Sequence, residues 1–320
     1  MLAAVYRSAG GSDVLSVEDL PVPQPGPGEV RVRLRVAGVN PTDWKLRTTT
    51  PPAHDLQVPG QDGAGDVDAV GEGVDPGRIG ERVWVWFAAA RGRQWGTAAQ
   101  WTVVRSRQAV SLPDGVSYET GAGLGIPAMT AWYCLFADGP LNGRTVLVAG
   151  GAGAVGNAAV ALAAQAGARV LATCSTPDKA DLAWAAGAQA VVDYRSSEAA
   201  EQVRAFAPDG IDRVVEVALG ANLALNLAVL APGSVISTYA DDQLSTSVRP
   251  LMIANVTLAF VLIYGLADDA LDAAVVGVAG AVAAGELPAL PFTRFALTDV
   301  GAAHDAVQGG ALGKVLIDLP

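Results

Sequence analysis

The sequence predicts an α/β protein with an irregular β-rich domain and a second domain built on a doubly wound parallel sheet. Three observations support this fold class. The length of 320 residues is typical of two domains. Residues 1–120 are dense in glycine and proline and carry short alternating apolar runs, whereas strand and helix patterns alternate from about residue 121. We assign residues 1–120 and 266–320 to the first domain and residues 121–265 to the second.

The strand signals of the first domain are short and are separated by turns. Residues 29–36, EVRVRLRV, place apolar side chains at every second position, which is the period of a half-buried strand. Clusters of glycine and proline interrupt such runs at residues 23–29, 59–65 and 70–77. This pattern predicts short strands joined by tight turns.

The second domain shows an alternation of strands and helices that is typical of βαβ units around a parallel sheet. Residues 145–148, TVLV, form a continuous apolar run, as in a strand buried on both faces. Helices are predicted over 157–166 and 178–186, each followed by a glycine, and from about residue 268. The apolar segment 251–267 predicts a buried strand, because it only reaches the lower length limit of a membrane span, roughly 17 residues. The remaining strands are predicted at 169–173, 190–192, 213–217, 234–237 and 314–318.

The composition excludes several classes of protein. Hydrophobic residues make up 51% of the chain, which is too many for a disordered protein. The 32 acidic and 21 basic residues give a net charge of −11, which argues against nucleic-acid binding. The two cysteines exclude a disulfide scaffold and a four-cysteine zinc site, and His54 and His304 form no HExxH motif. The N-terminus has no signal-peptide pattern, so we expect a cytoplasmic protein without a membrane partner.

A glycine-rich loop follows the strand at 145–148. Gly151, Gly153 and Gly156 fit the pattern G-x-G-x-x-G between a predicted strand and a predicted helix. In dinucleotide-binding loops one glycine allows the tight turn, one lets the backbone approach a pyrophosphate, and one lets helix and strand pack closely. The N–H groups of the helix N-terminus then bind the phosphates. The complete βαβ context favours dinucleotide binding over a tight turn without a ligand.

The end of the following strand favours NADPH over NADH. NAD-binding sites usually place an acidic residue about 20 residues after the loop, on the ribose 2′-hydroxyl. Here the strand ends in Cys174 and Ser175 without an acid, and Thr176 and Lys179 follow. A hydroxyl and an ammonium suit the 2′-phosphate of NADPH. The alternative for Lys179 is a solvated position in the first turn of the next helix.

Six further segments occur in a specific order along the chain: GVNPTD at 38–43, PGQDGAG at 59–65, GERV at 80–83, PAMTAW at 127–132, DYR at 193–195 and GKV at 313–315. With the glycine loop, they resemble the medium-chain dehydrogenase/reductase superfamily, and most closely its zinc-free quinone oxidoreductase branch, which includes zeta-crystallin. The resemblance covers nearly the whole chain. It implies a GroES-like catalytic domain and a Rossmann cofactor domain.

The resemblance also indicates a site without metal. In the zinc-dependent alcohol dehydrogenases of this superfamily, a cysteine and a histidine bind the catalytic zinc where this chain has Asn40 and Gln61. The glutamate adjacent to that histidine corresponds to Asp62. Because zinc requires histidine, cysteine or carboxylate donors in a tetrahedral array, we expect no metal.

The same resemblance implies a role for individual residues. Asn40 and Thr130 would lie beside the nicotinamide and its ribose as positioning residues of the catalytic site, and Lys314 would approach the cofactor from the catalytic domain. The plain alternatives are a turn residue for Asn40, a buried hydroxyl for Thr130 and a strand-end residue for Tyr194. The other implied cofactor-binding residues are Gly151, which opens the loop, Gly153, Ala154, Val155 and Gly156 at the pyrophosphate, Ser175, Lys179 and Tyr194 around the 2′-phosphate, Ala218, Tyr239 and Ala240 beside the adenine and its ribose, and Phe260 and Leu262 beside the carboxamide.

The implied function is hydride transfer from NADPH to a quinone, whose hydroquinone anion takes its proton from water. Relatives often carry a tyrosine shortly after the Asn-Pro-x-Asp turn, where this chain has Trp44 and Lys45. A reaction that needs a placed proton donor would therefore use Lys45, water or nothing. The alternatives are an enone or enoyl reductase and, in another class, a non-catalytic NADPH-binding protein. Four aromatic residues of predicted loops either form a wall for a flat substrate or serve packing: Trp44, Trp86, Phe87 and Trp95.

The apolar segment 256–264, from Val256 to Tyr264, predicts a late strand at an edge of the parallel sheet. An exposed apolar edge with unpaired N–H and C=O groups promotes uncontrolled association. Pairing with its own copy across a two-fold axis would cover the edge, so we expect a homodimer. The alternative is a monomer in which the alanine-rich segment after Asp268 covers the edge.

Overall fold

The computed structural model describes all 320 residues and contains fifteen β-strands and ten α-helices. The strands are β1 (Leu2–Val5), β2 (Ser16–Asp19), β3 (Glu29–Val39), β4 (Asp62–Val70), β5 (Arg82–Val85), β6 (Trp101–Arg105), β7 (Ala109–Ser111), β8 (Thr145–Ala149), β9 (Arg169–Cys174), β10 (Ala190–Asp193), β11 (Ile211–Glu216), β12 (Leu230–Thr238), β13 (Thr257–Phe260), β14 (Phe292–Ala296) and β15 (Lys314–Asp318). The helices are α1 (Pro41–Thr49), α2 (Tyr118–Gly121), α3 (Gly125–Phe136), α4 (Ala154–Gln165), α5 (Pro177–Ala185), α6 (Ala199–Phe206), α7 (Leu219–Val229), α8 (Val248–Ala254), α9 (Asp268–Ala283) and α10 (Val300–Gln308).

The chain forms two compact units, one of residues Met1–Ile126 with Ala289–Pro320 and the other of residues Pro127–Pro288. These boundaries differ from the domains assigned from the sequence, because residues 266–288 belong to the second unit and not to the first. The physical reason is the packing of α9, since Ala281 is buried in the same apolar cluster as Val160 of α4. An alanine-rich helix gives no sequence signal of the sheet on which it packs.

The first unit is built on a mainly antiparallel sheet of seven strands. Six of them follow the order β14-β15-β3-β4-β5-β7, and β6 pairs with β3. The alternation predicted for residues 29–36 is present in β3, because Val30, Val32 and Leu34 are buried and pack with Val67 and Val83. Strand β15 pairs with β3, which brings Lys314 and the Asn40 region together.

The second unit contains the predicted parallel sheet. Its six strands follow the order β10-β9-β8-β11-β12-β13, and all neighbouring pairs are parallel. Numbered within the unit this is the order 3-2-1-4-5-6, in which ligands bind at the carboxyl ends of the strands where the order reverses. Strand β8 is buried along its whole length, as its continuous apolar run predicts. The order reverses between β8 and β11, beside the glycine loop.

The prediction of a buried strand over 251–267 was wrong. The segment contains the end of α8, the short edge strand β13 and an irregular stretch, and only Val261 and Ile263 among its apolar side chains are buried. Met252, Ile253, Phe260 and Leu262 are between 65% and 75% exposed. The apolar composition of this segment predicts that its surface is covered, but it does not distinguish burial inside the chain from contact with another molecule. None of the ten helices combines the length and the apolar character that a membrane crossing requires.

Candidate functional site

The glycine loop joins β8 to α4, as the sequence predicts. Gly150 adopts φ +71°, in the left-handed region that favours glycine, and turns the chain out of β8. The N–H groups of Gly150 and Gly151 both donate to the Thr173 carbonyl at 3.1 Å, which ties the loop to β9. Gly153 is the N-cap of α4 and has no side chain to cap the first turn. The first N–H groups of the helix are therefore available to an anion.

The three glycines of the motif differ in what a side chain would meet. A Cβ on Gly156 would lie 2.2 Å from the Gly150 carbonyl oxygen, and one on Gly151 would lie 2.6 Å from the Cβ of Ala172. The fold itself therefore requires glycine at both places. A Cβ on Gly153 would meet nothing closer than 3.5 Å. The missing side chain of Gly153 is thus not required by packing, which indicates that it leaves room for a ligand.

Two cations converge on Ser175, directly after β9. Lys179 Nζ lies 3.5 Å from Ser175 Oγ, and the Arg195 guanidinium donates to the Ser175 carbonyl oxygen. Arg195 also forms hydrogen bonds of 3.0 and 2.8 Å to the two carboxylate oxygens of Asp193, and it lowers the pKa of Asp193 to about 2. Tyr194 directly follows β10, the neighbour of β9, and is 44% exposed. The structure therefore brings Lys179 and Arg195 to Ser175, and Tyr194 lies one residue beyond the paired residues Asp193 and Cys174 of the neighbouring strands.

Glu216 is a second residue that the sequence analysis missed. It ends β11, is fully buried and accepts hydrogen bonds from the Ala218 N–H at 2.7 Å, Asn222 Nδ2 at 2.8 Å and Asn226 Nδ2 at 2.7 Å. Its backbone carbonyl accepts from the Tyr239 N–H at 3.3 Å. Glu216 thus holds the segments after β11 and β12 in place. The only signal in the sequence was an acidic residue at the end of an apolar run.

Most of the other predicted residues of the second unit lie at strand ends or helix starts, and Thr130 lies within a helix. Ala154 and Val155 begin α4, Ala240 follows Tyr239 after β12, and Thr130 is buried in α3. Phe260 ends β13, and Leu262 lies two residues beyond it. Because the strands are parallel, the segments after β8, β9, β11, β12 and β13 lie at one edge of the sheet. This is the edge at which open α/β sheets bind ligands.

A cluster of buried polar residues, Asn40, Asp62 and Lys314, lies in the first unit; we refer to it as the Asn40 cluster. The three residues are no more than 3% exposed. Asn40 Nδ2 donates to Asp62 Oδ2 at 2.7 Å, and Lys314 Nζ donates to Asn40 Oδ1 at 2.7 Å. Lys314 Nζ lies 3.9 Å from the Asp62 carboxylate. Lys314, predicted to approach the cofactor, is thus engaged by Asn40 and Asp62.

Two more buried groups lie next to the Asn40 cluster in sequence or space. Asp43 Oδ2 accepts a hydrogen bond from the Asn40 N–H at 2.7 Å, while Asp43 Oδ1 has no partner. Gln61 Oε1 is also buried without a partner. Burial raises the pKa of Asp43 to about 7 and that of Asp62 to about 6, and it lowers the pKa of Lys314. One cation therefore faces two acids, which favours a protonated Asp43.

Two of the four aromatic residues on the predicted substrate side are buried, and Trp44 and Trp95 are half-buried. Trp86 and Phe87 are 2% exposed and contact each other edge to face, with ring centroids 5.0 Å apart. The structure therefore favours packing as their role. The Lys45 ammonium lies 5.9 Å from the centre of the Trp44 ring in α1.

Known proteins are similar to this chain in fold and in sequence. Residues 26–114 match the family described as alcohol dehydrogenase GroES-like domain, and residues 154–279 match the family described as zinc-binding dehydrogenase. The human quinone oxidoreductase is 27% identical over 317 residues, covering 96% of this chain and 94% of the human protein. The chain belongs to the medium-chain dehydrogenase/reductase superfamily, in its quinone oxidoreductase branch. As a member of this superfamily it is an oxidoreductase.

Two further proteins are similar to this chain. A mycobacterial protein whose structure was solved in complex with NADPH is 28% identical to this chain and superposes with a TM-score of 0.86. The match covers 99% of this chain and 100% of the mycobacterial chain. A phthioceranic/hydroxyphthioceranic acid synthase of Mycobacterium tuberculosis is 32% identical over 298 residues. That match covers 89% of this chain but only 14% of the synthase.

The family that matches residues 154–279 is described as a zinc-binding dehydrogenase. No group of three or more histidine, cysteine, aspartate or glutamate side chains is placed to hold a metal ion. In the Asn40 cluster, the position between the amide and the carboxylate is taken by the Lys314 ammonium. A second cation there would be repelled by that charge.

Proposed function

We propose that the protein transfers hydride from NADPH to a quinone or a similar conjugated carbonyl without zinc. The observation that carries the proposal is the convergence of an anion-accepting loop and two cations on neighbouring strand ends, β8 and β9. When bound, NADPH supplies the hydride. The first N–H groups of α4 bind the pyrophosphate, and Gly153 lets it approach the backbone. Similarity to the quinone oxidoreductases supports the choice of acceptor.

The experiment that tests this function is NADPH oxidation, followed by the absorbance of NADPH, with a panel of quinones and α,β-unsaturated carbonyls. Turnover with quinones supports the proposal. An enone or enoyl reductase is the second candidate, and it is favoured by the 32% identity to the phthioceranic acid synthase. Turnover with enones alone would establish that candidate. Tight NADPH binding without turnover of either class would indicate a non-catalytic NADPH-binding protein.

We expect the preference for NADPH to depend on Lys179. A charge-assisted hydrogen bond contributes about 1.5–3 kcal/mol, so Lys179→Ala should raise the NADPH dissociation constant by roughly ten- to a hundredfold. The NADH dissociation constant should stay nearly unchanged, because NADH lacks the 2′-phosphate. Fluorescence titration of both nucleotides with both proteins measures this. Equal binding of NADH and NADPH by the unchanged protein would contradict the assignment.

Activity is expected to survive prolonged incubation with a chelator. The reason is the donor set, because Asn40 and Gln61 offer amides and Lys314 provides a positive charge. Elemental analysis of the purified protein should find no stoichiometric zinc. Loss of turnover on chelation, followed by recovery on adding zinc, would refute a zinc-free reaction.

The homodimer through the edge strand is part of the same proposal. Strand β13 is at the end of the sheet order and pairs only with β12. The Val261 N–H donates to the Thr238 carbonyl, so in the alternating pattern of a parallel pair the Leu258 and Phe260 N–H groups point away from β12. Val248, Met252 and Ile253 of the preceding helix α8 are between 66% and 75% exposed. An apolar surface beside unpaired backbone donors supports pairing with a second copy.

Sedimentation is expected to show a species of about twice the chain mass of 32.5 kDa at micromolar concentration. Ile253→Lys should shift the protein toward the monomer, because it places a charge in the apolar surface next to β13. Phe260→Pro should weaken the dimer by removing an outward backbone donor. Ile79→Lys is the matched control, since Ile79 is exposed but lies in the first unit. A single species near 32.5 kDa for the unchanged protein would refute the dimer.

A further inference from the structure

The guanidinium of Arg195 is held along one edge by Asp193. Its Nε and Nη2 atoms donate to the two carboxylate oxygens of Asp193 at 3.0 and 2.8 Å, and the Arg195 backbone N–H donates to Asp193 Oδ1 at 3.0 Å. Nη2 also donates to the carbonyl oxygen of Ser175. A guanidinium carries five N–H groups, so the two on Nη1 are left without a protein partner. Asp193 thus takes an edge that could otherwise bind an oxyanion through two parallel hydrogen bonds.

This ion pair lies at the sheet edge proposed to hold the adenosine half of NADPH. Asp193 is the last residue of β10 and pairs with Cys174, the last residue of β9. The glycine loop is tied to the same strand end, because the Gly150 N–H donates to the Thr173 carbonyl at 3.1 Å. In sheets of this strand order, the ribose next to the pyrophosphate lies near the end of the second strand, which is β9. Asp193 and Arg195 therefore lie within the second unit, beside the expected place of the ribose 2′-substituent.

Two cations and one acid surround Ser175. Lys179 Nζ lies 3.5 Å from Ser175 Oγ, and Arg195 contacts the Ser175 carbonyl. The Asp193 carboxylate is ionised at neutral pH, because its hydrogen bonds from Arg195 hold the pKa of Asp193 at about 2. Both members of the ion pair are accessible, since 57% of the Arg195 side chain and 46% of the Asp193 side chain are exposed. The carboxylate therefore offsets one of the two positive charges that a 2′-phosphate would meet.

We propose that Asp193 is a specificity-determining residue that competes with the 2′-phosphate of NADPH for Arg195 and thereby limits the preference for NADPH over NADH. This inference rests on the proposed function. An exposed ion pair is weak, so it opens readily when a doubly charged phosphate approaches. Asp193 opposes NADPH in two ways, because it occupies donors of the guanidinium and repels the phosphate. NADH carries a neutral 2′-hydroxyl and meets neither effect.

Asp193→Asn tests the competition, because it removes the negative charge but keeps a side-chain oxygen that can accept from Arg195. The NADPH dissociation constant should fall about two- to fivefold, which is the range expected for one exposed ion pair, and the NADH dissociation constant should stay nearly unchanged. Adenosine 2′,5′-bisphosphate should follow NADPH, and adenosine 5′-monophosphate should follow NADH. Asp209→Asn is the matched control and should change neither constant. Asp209 is an exposed acid before β11, at the opposite edge of the same sheet.

Two further measurements separate charge from geometry. Arg195→Met should weaken the binding of NADPH and of the bisphosphate about five- to tenfold and leave NADH binding nearly unchanged, because it removes the cation for which the two anions compete. The gain from Asp193→Asn should shrink at about 1 M salt, where exposed charges are screened within about 3 Å. Thermal unfolding should be the same for all variants, since the exchanged side chains are exposed.

An NADPH dissociation constant that is unchanged or higher in Asp193→Asn would overturn the inference, and so would an equal fall for NADH. A loss in Arg195→Met that is shared by both nucleotides would overturn it as well. The proposed function fails separately, if the unchanged protein binds NADPH but oxidises it with no quinone and no enone.

Discussion

Lys314→Met is expected to lower the free energy of unfolding by about 3–5 kcal/mol at about pH 8, because removing one partner leaves a buried charge without compensation. The charge in question is that of Asp62, which is fully buried. Burial raises the pKa of Asp62 to about 6 even with Lys314 present, and Lys314 acts in the opposite direction. Lys314 also lowers the pKa of Asp43. Without the cation, the pKa values of both acids in the folded state rise further.

The pH dependence of this loss separates charge from packing. A carboxyl group whose folded pKa exceeds its unfolded value of 3.8 destabilises the fold increasingly as pH rises from that value through the folded pKa. The loss caused by Lys314→Met should therefore be small near about pH 4–5 and much larger near about pH 8. Urea unfolding of both proteins at the two pH values measures it. An equal loss at both would mean that the methionine disturbs packing instead, and Arg294→Met provides the control for removing an exposed cation.

Gly156→Ala is expected to abolish measurable NADPH binding. The new Cβ would lie 2.2 Å from the carbonyl oxygen of Gly150 and 2.9 Å from the carbonyl carbon of the same residue. The loop and the start of α4 must therefore move apart. That movement displaces the N–H groups proposed to bind the pyrophosphate. Losing two such contacts at about 1.5–3 kcal/mol each weakens binding by more than roughly a hundredfold. Overpacking should also cost about 1–3 kcal/mol of folding stability.

Gly153→Ala is the matched comparison for the same loop. Its Cβ would lie 3.5 Å from the nearest protein atom, so the melting temperature should stay close to that of the unchanged protein. Nucleotide binding should nevertheless weaken, because the methyl group occupies the space left for the pyrophosphate. Titration with NADPH and thermal unfolding of both variants distinguish the two effects. Unimpaired NADPH binding by Gly156→Ala would contradict the role assigned to the loop.

The parts of the fold that local patterns specify could be predicted from the sequence. The apolar run of β8, the glycines after it and the alanine-rich α4 follow one another within about twenty residues, so periodicity and turn chemistry suffice. The absence of an acid after β9 is likewise a local observation. The side chains of Lys179 and Ser175 lie within hydrogen-bond distance, because the two residues are four positions apart and Thr176 between them is the N-cap of α5. These elements depend little on distant contacts.

Other features depend on contacts that no local pattern reveals. Lys314 was linked to the cofactor by resemblance alone, and its hydrogen bond to Asn40 joins residues 274 positions apart. Arg195 beside Asp193 has the appearance of an ordinary surface ion pair, and only the pairing of β10 with β9 places it at Ser175. Segment 251–267 was assigned to the interior because it is apolar. The exposure of this segment depends on what packs against the β13 edge of the sheet, which the sequence of a single chain does not determine.

The position of β15 has a consequence for the order in which the protein forms during translation. Strand β15 lies between β14 and β3, so the sheet of the first unit is closed by residues made after the whole of the second. Residues Pro127–Pro288 are contiguous and are all synthesised before Lys314. Until then, β3 lacks a neighbour along the edge that β15 covers, and Asp62 lacks its cation. All residues of the parallel-sheet unit are therefore synthesised before β15, the final strand of the β-rich unit, although synthesis of the β-rich unit begins first.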